Sequence, residues 1–223
     1  MATVLITGAN RGIGLALVKA YESAGDTVIA TARTPDAATD LTATGAEIHP
    51  LEATDAASVA ALAGALKGRP IDLLIHNAGI GDRAGFGALD YDIFADVLDV
   101  NTMAPMRVIE ALEANIAASD GKTIAVISSQ LGSIEITNGD MGLIFRGSKA
   151  ALNMALRSAA PALAEKGITT LTLHPGWVST DMGGPNAPVT PDDSAAGMKA
   201  TIENAGPAKS LRFLDWQGQS LPW

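Results

Sequence analysis

The sequence predicts an α/β fold in which a doubly wound parallel sheet carries helices on both faces. Short, continuously apolar runs alternate with longer segments of helical period. A glycine-rich turn separates the first such run from the first helical segment. Strands buried on both faces read as unbroken apolar runs, and right-handed crossovers then favour the doubly wound form.

Each element has its own signal. Thr3–Thr7 (TVLIT) is dense in β-branched residues and predicts a buried strand. Gly14–Ala24 predicts a helix, with Ile13, Ala16, Leu17 and Ala20 on one face and Gly25 as its stop. Thr27–Ala32 and the short Glu47–Leu51 read as strands. Asp55 is an N-cap for a helix to about Leu66. Ile71–His76 is a strand, Tyr91–Ala118 one long helix, and Thr123–Ser128 a strand. Leu143–Lys166 is helical, interrupted or kinked at Pro161. Ile168–Leu173 is a strand, Ser194–Glu203 a short helix and Leu211–Leu214 a last strand. Met103 and Met106, at helical spacing, are expected in the core.

The chain has 223 residues, which suits one domain over 1–223, with a short Gly/Pro-rich substrate loop near 181–193. With 48% hydrophobic and 17% charged residues, a disordered chain is excluded. The net charge of −9 repels phosphate backbones and anionic lipid, so neither nucleic acid nor a membrane is expected as a partner. No run reaches the roughly 18–20 apolar residues that cross a bilayer. No cysteine is present, so disulfides and thiolate metal sites are impossible. His49, His76 and His174 lack ligand-like spacing, and no metal site is expected. The N-terminus lacks a basic region followed by an apolar stretch, which points to a cytoplasmic protein.

The turn reads Thr7-Gly8-Ala9-Asn10-Arg11-Gly12-Ile13-Gly14, between strand and helix. Glycines there allow a tight turn and a close approach of backbone to pyrophosphate, and the helix N-terminus offers free N–H groups. This is the dinucleotide-binding arrangement of a Rossmann fold. A site for NAD ends the second strand with an acid for the ribose 2′-OH. Here that strand is followed by Arg33, and Arg11 stands at the same corner. Two guanidiniums suit a 2′-phosphate, so the cofactor expected is NADP(H).

With these motifs in order, the chain resembles the short-chain dehydrogenase/reductase family over essentially its whole length. The TGANRGIG turn matches, as do His76-Asn77-Ala78-Gly79, Asn101 within Asp99-Val100-Asn101-Thr102, and Ser128-Ser129-Gln130-Leu131-Gly132. Phe145-Arg146-Gly147-Ser148-Lys149 matches the YxxxK segment except at its first residue. The segment from His174-Pro175-Gly176-Trp177-Val178-Ser179-Thr180 onward is similar to the C-signalling-factor and sniffer-like carbonyl reductase subgroup. The resemblance implies a sheet of about seven strands and hydride transfer between nicotinamide and a carbonyl. It implies that Ser129 holds the carbonyl, Lys149 binds the nicotinamide ribose and Asn101 holds a relay water. Gly8, Asn10, Arg11, Gly12, Ile13, Gly14 and Arg33 would bind the cofactor, with Leu51 and Glu52 near the adenine. Asn77, Ala78 and Gly79 would line the adenosine side, and Pro175, Gly176, Val178 and Thr180 the nicotinamide and pyrophosphate. Relatives pair through the two long helices, so a homodimer or homotetramer is expected.

One departure bears on the chemistry. The family's tyrosine gives a proton to the substrate oxygen, and Phe145 has no hydroxyl to give. The two tyrosines, Tyr21 and Tyr91, are poor substitutes by their positions. General acid catalysis contributes about 10²–10⁴-fold. Three readings follow. The chain is a carbonyl reductase impaired by a Tyr→Phe variation, an imine or iminium reductase that needs no tyrosine acid, or a non-catalytic NADP(H)-binding signalling or regulatory protein.

Overall fold

The computed structural model describes residues 1–208 and 210–223. Its strands are β1 (Thr3–Thr7), β2 (Thr27–Ala32), β3 (Glu47–Pro50), β4 (Leu73–His76), β5 (Thr123–Ile127), β6 (Thr169–His174) and β7 (Arg212–Asp215). Its helices are α1 (Gly12–Ser23), α2 (Thr39–Thr42), α3 (Ala56–Ala65), α4 (Tyr91–Leu98), α5 (Ala104–Ala117), α6 (Leu143–Glu165) and α7 (Pro191–Asn204). The strands form one seven-stranded parallel sheet in the order β3-β2-β1-β4-β5-β6-β7, the Rossmann arrangement.

The apolar strands feed two cores because side chains alternate across a sheet. Val4 and Ile6 of β1 enter one layer with Leu17 of α1 and Met198 of α7. Leu5 enters the other, with Leu112 of α5 and Leu152 of α6. Burying a leucine or isoleucine this fully contributes about 1.5–3 kcal/mol. Both faces of β1 therefore need apolar residues, and TVLIT supplies them.

The long helix expected over Tyr91–Ala118 is divided by a π-turn at Asp99–Met103. Pro105, four residues after Asn101, has no N–H to return to the Asn101 carbonyl, so the ordinary ladder cannot pass this point. The turn also rotates Met103 out to solvent, while Met106 stays packed on the core. Pro161 does not interrupt α6, since it lies on the exposed side where water can take the freed carbonyl. The loop expected near 181–193 ends earlier. Thr190 caps α7, its hydroxyl accepting from Asp193 N, so Pro191, Asp192 and Asp193 form the first helical turn. Short turns at Pro35–Ala37 and Gln130–Gly132, and the one-turn α2, lack a repeating apolar face and were not foreseen. The other elements begin or end within a few residues of expectation.

Candidate active site

The strand order reverses between β1 and β4, whose following helices lie on opposite faces. A crevice opens at the carboxyl ends of strands at such a switch point. The two connections meet tightly there. Asn77 N donates to Thr7 Oγ1 (3.1 Å), and Asn77 Nδ2 donates to the Gly8 carbonyl (3.0 Å). Gly8 has φ +63°, and a Cβ on it would sit 2.9 Å from Ala78 Cα. A Cβ on Gly14 would overlap the Gly8 carbonyl and approach Asn77 Nδ2 to 2.6 Å. These glycines are required by contact as well as by conformation.

Beyond the turn, α1 starts at Gly12 with Arg11 as its N-cap, and no side chain accepts from the first turn. Its N–H groups remain available to an anion, at the positive end of the helix dipole. Ala9 N donates to Thr31 O (2.9 Å), which holds the turn against the end of β2, where Arg33 stands exposed. Asn10 is exposed too, and Arg11 is engaged by Asp181 (2.6 Å). Ile13 packs partly against the core. Leu51 is buried and bonds to Ala32 O (3.0 Å), whereas the Glu52 carboxylate turns back onto Thr54 Oγ1 (2.9 Å).

On the other side of the crevice, the π-turn presents Asn101. Its Oδ1 accepts from Ile80 N (2.9 Å), and its Nδ2 donates to Ile80 O (2.8 Å) and to Ser148 Oγ (3.0 Å). Ser148 Oγ in turn donates to the Phe145 carbonyl (2.8 Å). Thus a buried carboxamide ties the loop after β4 to α6. Lys149 is buried, and its Nζ donates to Ile127 O at 2.9 Å. The Phe145 ring lies with its centroid 5.8 Å from that Nζ. A Cβ on Gly79 would stand 3.2 Å from Asn101 Oδ1 and 3.6 Å from Lys149 Nζ, so the three residues share one small space. Ser129 closes β5, buried, its Oγ accepting from Leu131 N (3.1 Å).

The segment from Pro175 to Thr180 follows β6. Pro175 O accepts from Ser194 Oγ (2.6 Å), Gly176 has φ +89°, and Val178 bridges to Val189. Thr180 reaches the glycine turn, its Cγ2 3.3 Å from where a Gly12 Cβ would lie. Sequence reasoning missed Ser148, Thr7 and Asp181. Ser148 and Thr7 stood inside motifs already noted, but nothing in the spacing announced their partners.

Burial governs the ionisation here. Desolvation brings the Lys149 ammonium down to about 8. His76 is pushed down to about 3 by burial, with the Lys149 charge adding to it. His76 is therefore a neutral core residue, and both its ring nitrogens lack a partner. Among the described residues no acidic or histidine cluster has metal-binding geometry, and no helix is long and apolar enough to cross a membrane.

Known proteins share this arrangement. A family model described as short chain dehydrogenase matches residues 2–189. C-signal of Myxococcus xanthus is 40% identical over 155 residues, covering 69% of this chain and 93% of that protein. The 1-hydroxy-2-glutathionyl-2-methyl-3-butene dehydrogenase of Rhodococcus sp. (strain AD45) is 36% identical over 231 residues, the full length of both. The NADPH-bound carbonyl reductase from chicken fatty liver superposes with TM-score 0.93 at 36% identity, covering 100% of this chain and 99% of the other. The carbonyl reductase Sniffer of D. melanogaster gives 0.93 at 31%, covering 100% of both. With the crevice, the glycine turn and full-length similarity in agreement, the chain belongs to the short-chain dehydrogenase family of oxidoreductases.

Proposed function

We propose that this oxidoreductase transfers hydride between NADP(H) and the carbonyl group of a small molecule, at a rate limited by Phe145. The observation that carries this reading is the retention of Asn101, Ser129 and Lys149 around position 145 while the hydroxyl alone is lost. Relatives bound to NADPH or NADP support the cofactor assignment.

The residues fit that cofactor. The uncapped first turn of α1 suits a pyrophosphate, and Arg11 and Arg33 suit a 2′-phosphate. Lys149 uses one of its N–H groups on Ile127, leaving two for ribose hydroxyls. Asn77, Ala78, Gly79 and the Pro175–Thr180 segment would line the rest, with Leu51 and Glu52 at the adenine end. The nicotinamide supplies the hydride when bound. Ser129 Oγ–H is positioned to donate to a substrate oxygen, because the hydroxyl accepts its bond from Leu131 N. The proton for that oxygen has no phenol to come from, and water is a weaker acid in this position.

Loss of a general acid costs about 10²–10⁴-fold in rate. Phe145→Tyr is therefore expected to raise NADPH-dependent ketone reduction by that order, measured across a ketone panel. Phe145 also favours a second reading, reduction of imines, which can arrive protonated as iminium. Turnover of cyclic imines by the chain as it stands, with no ketone gain in Phe145→Tyr, would select it. NADPH binding without turnover of either panel in either form would select the non-catalytic reading.

A further inference from the structure

We infer that the groove at the amino ends of β1, β4, β5 and β6 binds a linear aliphatic diamine or polyamine, at a site separate from the crevice at their carboxyl ends. The groove holds about 370 Å³, bounded by the sheet, the end of α1 and the end of α7. Small-molecule sites enclose about 300–1,000 Å³. Its floor is apolar, built from Val4, Leu73 and Ile202.

Tyr21 reaches this groove from α1. It is 2% exposed, and among the described residues its hydroxyl has no hydrogen-bond partner. A buried hydroxyl in that state favours a ligand that supplies the missing bond. Burial, and then the Glu203 and Asp26 carboxylates, raise this phenol above its ordinary range. It therefore stays neutral, with lone pairs that accept from an N–H.

The charge of the wall selects the donor. Four carboxylates line it, from Asp26, Asp72, Asp120 and Glu203, against one basic side chain among the described residues, Lys122. Asp26 accepts from Ala2 N (2.9 Å), and Asp72 from Thr3 N (2.8 Å) and Gly121 N (3.1 Å). Those bonds fix the two carboxylates and leave each oxygen a lone pair for a further donor. Glu203 is shared with Lys199 on α7, and Asp120 stands exposed at the rim. A metal ion is a poor match, because among the described residues these acids do not converge on one point. Carboxylates spread around an apolar floor suit alkyl segments between ammonium groups, with one N–H placed on the Tyr21 hydroxyl.

The test titrates the full chain with spermidine at physiological ionic strength, by calorimetry and by amide NMR shifts. Saturable binding is expected, with shifts concentrated at Gly121, Lys122, Gly167 and Gly206. Tyr21→Phe keeps the ring and is expected to weaken binding about three- to tenfold. Asp120→Asn alters an exposed side chain and is expected to weaken it about two- to fivefold, while Glu110→Gln on α5 leaves it unchanged. Butylamine, with one ammonium, is expected to bind about tenfold more weakly than spermidine. A chain of net charge −9 attracts polycations non-specifically. Equal affinity in Tyr21→Phe therefore overturns the proposal, and so does a loss in Glu110→Gln as large as in Asp120→Asn. Shifts that persist at saturating NADPH support a separate site, and displacement of spermidine by NADPH overturns it.

Discussion

Lys149 Nζ lies 5.8 Å from the centroid of the Phe145 ring, one turn back on the same helix. At that distance a ring attracts an ammonium weakly, by about 0.5–1 kcal/mol at exposed sites and more when desolvated. The relationship leaves a buried amine beside a ring that carries no titratable group, and several consequences are measurable.

Lys149 is costly to the ligand-free fold. Its folded pKa, near 8, lies below that of an unfolded lysine, so the folded chain binds fewer protons between about 8 and 10.4 and the destabilisation is full below about 8. Lys149→Met is expected to stabilise the chain by about 1–3 kcal/mol at pH 7, with the gain shrinking toward pH 10. Urea unfolding at the two pH values checks this, and NADPH affinity is expected to fall in the same variant.

His76 and His174 are neutral in the fold, pushed down to about 3 and about 4 by burial. Their folded pKa values are depressed, so the unfolded chain binds more protons below about 6.5. Stability is therefore full above that pH and lost as pH falls toward the folded values. Unfolding free energy is expected to drop by about 2–4 kcal/mol between pH 7 and pH 5, measured by urea titration.

Asn101 makes three hydrogen bonds from a buried carboxamide. Asn101→Ala strands the Ile80 backbone and Ser148, at a cost of about 2–4 kcal/mol. Thermal unfolding gives the magnitude. Hydrogen exchange at Ile80 is expected to rise with it, since the loop after β4 loses its anchor.

Arg33 is exposed at the end of β2 beside the glycine turn. Charge-assisted hydrogen bonds contribute about 1.5–3 kcal/mol. Arg33→Ala is expected to weaken NADPH binding about ten- to a hundredfold and to leave NADH affinity unchanged, by fluorescence titration of both.

Much of this molecule is determined by local sequence. TVLIT must be a strand buried on two faces, and the Gly8–Gly14 turn must join it to a helix N-terminus. The lack of a hydroxyl at Phe145 is likewise a fact of composition. Periodicity misjudged Tyr91–Ala118, because one π-turn keeps the apolar stripe while shifting its face. Only the tertiary structure decided that Asn101, Ser148, Gly79 and Lys149 meet, since they come from three elements joined by hydrogen bonds across the crevice. It also decided that Lys149 is buried with a single carbonyl partner and that Arg11 is engaged by Asp181. Sequence sets which groups exist and the local backbone they prefer. Desolvation and pairing depend on what distant segments bring alongside, and those fix the ionisation on which the chemistry turns.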